Sequence, residues 1–142
     1  MKINKDLVIE DTNFTLKDVT EFKKFQGDLL WTNPTLNRTA FTEQDIIINA
    51  LPNYHLLEVW FYRNTTYDSI MCIRILNNPN AYCSGEYSFW ENGTQYTNYR
   101  QFRINPAGNS IHFFQGYLNN NVDNTRGIPL YVVGYPLSFL DS

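Results

Sequence analysis

The sequence predicts an all-β protein: an antiparallel β-sandwich of jelly-roll type over residues 28–142, preceded by an N-terminal arm over residues 1–27. Three observations predict it. Beyond residue 28, apolar and polar residues alternate with a period of two, the pattern of strands that bury one face. Clusters of Asn, Gly and Pro interrupt the alternation at short intervals, as turns do. No segment of that region carries a convincing helical period.

The arm comes first. LVIED and FTLKDV read as short strands, and VTEFKKF as one helical turn presenting Val19, Phe22 and Phe25. So little apolar mass cannot make a core of its own, so those three residues are expected to dock elsewhere. Leu29-Leu30-Trp31 then marks the entrance to the body. These residues favour burial, whereas Asn33-Pro34 directly after them can neither continue a helix nor sit inside a central strand. Phe41 is expected to pack the return of the chain, and DIIINA to form a short strand with Ile46 and Ile48 inward.

LLEVWFYR (56–63) sets Leu57, Val59 and Phe61 against Glu58, Trp60 and Tyr62. After the turn at 64–68, SIMCIRIL points Met71, Ile73 and Ile75 one way, and Cys72 and Arg74 the other. The two runs form an antiparallel pair in which Glu58 faces Arg74 across solvent, a contact worth under ~1 kcal/mol.

The strongest local signal is SFWENGTQY. Asn-Gly is the preferred loop of a two-residue type I′ hairpin, because both positions need positive φ. Counting outward places Glu91 opposite Thr94, Trp90 opposite Gln95 and Phe89 opposite Tyr96. Tyr87, Phe89, Tyr96, Phe102 and Ile104 then share one face, and Glu86, Trp90, Tyr99 and Arg103 the other. Asn105–Asn109 makes another turn, and SIHFFQGY sends Ile111 and Phe113 one way, His112 and Phe114 the other. LNNNVDNTRG reads as a polar loop, and IPLYVVGYPLSFL as a last strand whose early Pro129 suits an edge or a strand start. About seven strands result, a sandwich's number.

Composition narrows the function. The chain has 142 residues, enough for one domain with its own core. Eleven Lys and Arg against fourteen Asp and Glu, net −3, argue against nucleic acid, which needs clustered cations. Lys23-Lys24 is the only basic cluster. No apolar run is long enough for membrane insertion as a helix, and the first residues lack the apolar centre of a signal peptide. Cys72 and Cys83 have no metal-ligand spacing, and Cys72, inside an apolar run, is expected to be a buried, inert thiol. Four Asn-x-Thr segments, at Asn13, Asn37, Asn64 and Asn92, are read as surface turns in a chain where roughly one residue in eight is Asn.

Catalytic patterns are weak. His55 and His112 have no nucleophile motif beside them and no HxH or HExxH spacing. Glu86 and Glu91, five apart on one strand, point to opposite faces and cannot flank a sugar as a glycosidase requires. Asp28, Glu43 and Asp45 are further carboxylates that sequence cannot bring together. No phosphate-binding glycine loop occurs. The expectation is a protein without catalytic residues, cofactor or metal.

What stands out is the aromatic content, 16%, and five rings on faces that alternation sends outward: Trp60, Tyr62, Trp90, Tyr99 and Phe114. Three explanations compete. Both faces of each sheet are covered; or the rings form a subunit interface, where aromatics are enriched; or they stack on sugar rings while Asn amides read hydroxyls.

Three stretches carry a resemblance. Trp31-Thr-Asn33-Pro34, Tyr54-His-Leu-Leu57-Glu-Val59 and Ile128-Pro-Leu-Tyr-Val-Val-Gly-Tyr135 resemble a globular module of tailed-bacteriophage structural proteins, and INKDLVIEDTNFTLKDV is similar to the lead-in of such proteins. The resemblance implies a virion protein made in the host cytoplasm: a tail-fibre, baseplate, head-fibre or decoration component, non-enzymatic and a homo-oligomer, trimer favoured. The arm would dock to other virion proteins and the β domain would be exposed, its polar loops meeting a host-surface glycan or simply solvent. No long shaft separates arm from head, so a short attachment or decoration role suits the chain better than a long fibre. The alternatives are a small cell-envelope glycosidase or a free carbohydrate-binding module.

Overall fold

Asn92 and Gly93 adopt φ values of 50° and 78°. They close a two-residue hairpin between β7 (Tyr82–Glu91) and β8 (Thr94–Ile104), with Glu91 opposite Thr94, Trp90 opposite Gln95 and Phe89 opposite Tyr96. The register counted from the turn is the register found. The computed structural model describes residues 27–35, 39–66 and 69–136, and the backbone of 7–9 and 14–16. The latter two segments, β1 (Leu7–Ile9) and β2 (Phe14–Leu16), pair antiparallel with each other. Val19, Phe22 and Phe25 lie outside the described residues.

The remaining strands are β3 (Asp28–Thr32), β4 (Gln44–Ile47), β5 (Leu56–Asn64), β6 (Ile70–Leu76), β9 (Ser110–Leu118), β10 (Asn121–Val122) and β11 (Arg126–Tyr135). They form two antiparallel sheets packed face to face. One has the order β3-β11-β5-β6; in the other, β10-β9-β8-β7, β4 also pairs with β9. The protein is an all-β sandwich. Leu57, Val59, Phe61, Ile128 and Val132 of the first sheet meet Ile46, Phe102, Ile104, Ile111 and Phe113 of the second, joined by Phe41, Ile48 and Leu51. The alternation in each strand had placed Leu57, Val59, Phe61, Ile111 and Phe113 inward for this reason.

Phe113 is the hub. Its ring lies 5.9 Å from Phe102, 6.2 Å from Phe61, 5.7 Å from Phe41 and 6.1 Å from Trp31. A fully buried ring of this kind contributes about 1.5–3 kcal/mol in removed apolar area alone. Trp31 stacks on it and Phe41 meets both edge-on, so these two rings close one side of the core. Strand β3 reaches that position through a bulge: Val132 faces Trp31 and Val133 faces Leu29, leaving Leu30 as the extra residue. Leu30 and Trp31 both pack on the core, while Leu29 stays 64% exposed.

Four expectations need correction. Strand β11 is central, flanked by β3 and β5, so Pro129 is on neither an edge strand nor a strand's first residue. It is tolerated because a bulge adjoins it: Pro129 faces Phe61 and Tyr131 faces Trp60, with Leu130 between. There Asn33, buried, takes over the pairing, donating its backbone N–H to Leu130 O and its Nδ2 to Pro129 O, each at 2.8 Å. Glu58 and Arg74 do pair, Nε to Oε2 at 2.8 Å, but Glu58 is only 4% exposed and also accepts the Tyr135 hydroxyl at 2.9 Å. That carboxylate does not face solvent. Asn64, read as a surface turn, is likewise buried, its Oδ1 accepting the Thr66 N–H. The polar stretch after Leu118 is not all loop either: Asn119, at φ 54°, turns β10 back onto β9.

Cys72 and Cys83 are both half-buried free thiols. Burial, reinforced by the nearby Glu58 carboxylate, pushes the Cys72 thiol up to about 11, which keeps it protonated and unreactive at neutral pH.

Candidate functional site

Alternation along β8 sends Asn98 and Arg100 inward with Phe102 and Ile104, and both are fully buried. Arg100 donates Nε to Gly127 O at 2.6 Å, Nη1 to Phe114 O at 2.7 Å, and Nη2 to Arg126 O at 2.9 Å and Asn124 O at 3.2 Å. Burial lowers its pKa to about 10, with Asp123 opposing that shift, so the guanidinium remains charged at neutral pH. A bulge in β9 makes this possible: Arg100 faces Gly116 and Phe102 faces Phe113, so two residues of β9 lie opposite Gln101. The Phe114 carbonyl is part of that irregular stretch. A Cβ on Gly116 would lie 2.5 Å from Asp123 O and 2.7 Å from Arg100 Nη2, so only glycine fits under the guanidinium. Arg100 thereby ties the 123–127 turn to the sandwich.

That turn builds one wall of a cleft of about 540 Å³ at the end of the sandwich, lined by Arg63, Asn64, Thr66, Phe89, Trp90, Glu91 and Arg126. Phe89 of that lining is the middle rung of an aromatic ladder: Tyr87 stacks on Phe89 at 6.4 Å, and Phe89 on Tyr96 at 5.3 Å. The Arg63 guanidinium lies over the rings of Tyr87, at 4.5 Å, and Phe89, at 5.1 Å. Tyr87 also donates its hydroxyl to Arg63 O at 2.7 Å. On the opposite wall, Arg126 is held by Asp123, Nε to Oδ2 at 3.1 Å. Burial alone would raise the Asp123 pKa, but hydrogen bonds from Thr125 and Arg126 outweigh it and hold the carboxyl below its ordinary value. Trp90 stands at the rim, 71% exposed.

The five outward rings are not one patch. Trp60 and Tyr62 belong to β5 in one sheet; Trp90, Tyr99 and Phe114 belong to β7, β8 and β9 in the other. Trp60 is half-buried against Tyr131, ring centres 5.4 Å apart, with its Nε1 buried and without a hydrogen-bond partner among the described residues. Tyr62 packs partly on the core. On the second sheet, Tyr99 stacks on its cross-strand partner Tyr117 at 4.9 Å and 10°, and Phe114 lies 5.5 Å from Tyr82. With Glu86 opposite Tyr99 and Ser84 opposite Gln101, this outer face mixes rings and hydrogen-bonding groups.

One constellation was invisible in the sequence. The row Tyr82–Arg103–His112–Asp45 runs straight across four strands. His112 Nδ1 lies 2.8 Å from Asp45 and Nε2 lies 3.2 Å from Glu43, while Asn105 Nδ2 bonds Asp45 at 3.0 Å. The Asn105 bond, then His112, lowers the Asp45 pKa. Because the two carboxylates occupy opposite ring nitrogens, the three cannot converge on one ion. Among the described residues no group of three or more His, Cys, Asp or Glu is placed to hold a metal. His112 lacks a serine or thiol partner in this row, so the cluster is a strand clamp in form.

Comparison with protein-family models, with curated proteins and with solved structures returns no match. The site must therefore be read from its own geometry: a rigid end cleft, and two outer sheet faces bearing rings.

Proposed function

We propose that the protein is a structural component displayed on the surface of a bacteriophage particle, a short fibre, decoration or receptor-binding subunit whose sandwich packs and binds without catalysing a reaction. One observation carries this reading. The three separated stretches that resemble the phage module meet in a single sheet, on β3, β5 and β11, and interlock there. Asn33 holds the Pro129 and Leu130 carbonyls, His55 donates its N–H to Tyr135 O at 2.8 Å, and the Tyr54 ring lies so close to Gly134 that a Cβ would stand 2.7 Å from it.

Residues 1–27 then dock to other virion proteins, and copies associate through the apolar outer surface, where Leu29, Ile70 and Leu76 are exposed. Symmetric association multiplies a weak single-site affinity for a host glycan. The test is physical association. Gradient-purified particles from a culture that makes this chain should contain it by mass spectrometry, and immunogold should place it on their surface. Its absence from intact particles overturns the reading. Light scattering of the isolated chain should give three times 16.7 kDa, about 50 kDa. A monodisperse monomer removes the assembly part.

The outer face with Tyr82, Tyr99, Phe114, Tyr117 and Gln101 favours a second reading, a free carbohydrate-binding module. It is distinguished by glycan binding in a protein that never enters a particle.

A further inference from the structure

We propose that the end cleft binds a neutral pyranose glycan, with one sugar ring stacked on Trp90 and its hydroxyls held by Arg63, Arg126 and Glu91. This deepens the reading above by giving glycan contact a site, and it stands or falls on different measurements.

The cleft has the size of an oligosaccharide site: about 540 Å³, within the usual range for a drug-sized ligand. Trp90 presents a large flat apolar surface at its rim, 71% exposed, on the firm base of a paired strand next to the hairpin turn. A pyranose ring has an apolar face of C–H groups that an indole covers well. The same cleft is lined by group types that read hydroxyls: the guanidiniums of Arg63 and Arg126, which donate, and the Glu91 carboxylate, which accepts.

The forks are pre-positioned. The Arg63 guanidinium lies over the Tyr87 and Phe89 rings, and Arg126 is pinned by Asp123, itself bonded by Thr125. Ordering long side chains is a main cost of binding, so groups already held lose less on contact. Charge selects a neutral ligand. Glu91 is in the lining and Asp123 stands behind Arg126, so an anionic sugar or a phosphate would meet two carboxylates as well as the guanidiniums. The ladder and the Arg100-held turn fix both walls, so the cleft needs no closing motion.

The experiment uses the full chain and a panel of soluble neutral trisaccharides in the gluco, galacto, manno and N-acetylhexosamine series, with trigalacturonate as the charged comparison. Binding is read by saturation-transfer NMR and by indole fluorescence. At least one neutral trisaccharide should bind below about 10 mM, as expected of one weak site. Trp90→Ala should weaken it roughly tenfold and Glu91→Gln roughly threefold, with unchanged melting temperature because both side chains are exposed. The proposal is overturned if no neutral trisaccharide binds, if only trigalacturonate binds, or if Trp90→Ala leaves the affinity within a factor of about two. Glycan binding by a chain absent from particles sinks the virion reading alone; a particle protein that binds no neutral sugar sinks this one alone.

Discussion

Arg100 and Gly127 are joined by a 2.6 Å hydrogen bond from guanidinium to backbone carbonyl, buried between the two sheets. Gly127 has φ 54°, and a Cβ there would stand 3.0 Å from Arg100 Cβ, so the turn is shaped around the arginine. The same guanidinium satisfies three further carbonyls. A neutral side chain of similar length removes all four bonds, and of the four acceptors Asn124 O keeps the Phe41 N–H. Arg100→Met should therefore cost at least ~3 kcal/mol in urea unfolding, since each buried unpaired carbonyl costs roughly 1–3 kcal/mol. A loss under ~1 kcal/mol would mean that the carbonyls find other partners.

Gly93 and Gly116 should both resist alanine, for different reasons. A Cβ on Gly93 meets nothing within 4 Å, but φ is 78°, so Gly93→Ala should cost about 1 kcal/mol through backbone strain alone. At Gly116 the Cβ would collide with two carbonyls and with Arg100, so Gly116→Ala should cost clearly more. Equal losses in denaturant titrations would refute this distinction.

Arg74 is an exposed side chain bound to a buried one. Two freely exposed partners would be worth under ~1 kcal/mol, yet removing Arg74 takes the cationic partner from a buried Glu58 carboxyl and leaves it with the Tyr135 hydroxyl and the Cys72 thiol. Arg74→Ala should lower the urea midpoint, and Glu58→Gln with Arg74→Ala should recover part of the loss. A double-mutant cycle with no coupling would contradict the burial argument.

Asp123 sets a pH dependence whose sign is fixed by its lowered pKa. The folded state binds the proton less readily than the unfolded chain, so the carboxylate's contribution is complete above the unfolded value near 4. It is lost as pH falls through and below that value toward the folded pKa. Urea midpoints measured from pH 6 down to about 2.5 should fall less steeply for Asp123→Asn than for the unaltered chain. Parallel curves would show that Thr125 and Arg126 add nothing at this carboxylate.

Much of the fold was legible because its causes are local. Positive φ at Asn92 and Gly93 is a property of two adjacent residues, and it set the register of ten cross-strand pairs. Alternation assigned Leu57, Val59, Phe61, Phe102 and Ile104 inward without reference to any partner. Where a bulge breaks the period, the reading failed: Pro129 suggested an edge because nothing near it reveals that Leu130 is the extra residue of a central strand.

The site was less legible. Trp90 was picked out as an outward ring, but alternation says only which side of its own sheet a residue takes, not which sheet it is in. Trp60 and Trp90 therefore looked equivalent and lie on different sheets. Arg63 carried no signal, because its neighbour Phe89 reaches it only when both sheets stack; Arg126 has its partner Asp123 three residues away, but its place beside Arg63 and Trp90 in one cleft depends on that same stacking. Arg100 was in phase with Phe102, so its inward position could have been read; its four acceptors, spread over residues 114–127, could not.

By itself the sequence determined the strands, the hairpin turn and the apolar faces, since backbone preference and side-chain alternation act over a few residues. The tertiary structure alone decided that His112 lies between Glu43 and Asp45, that Arg100 closes the 123–127 turn, and that a cleft opens beside Trp90. Those contacts join residues far apart along the chain. They form only where bulges and stacked sheets bring the partners within hydrogen-bonding distance, and no periodicity records that.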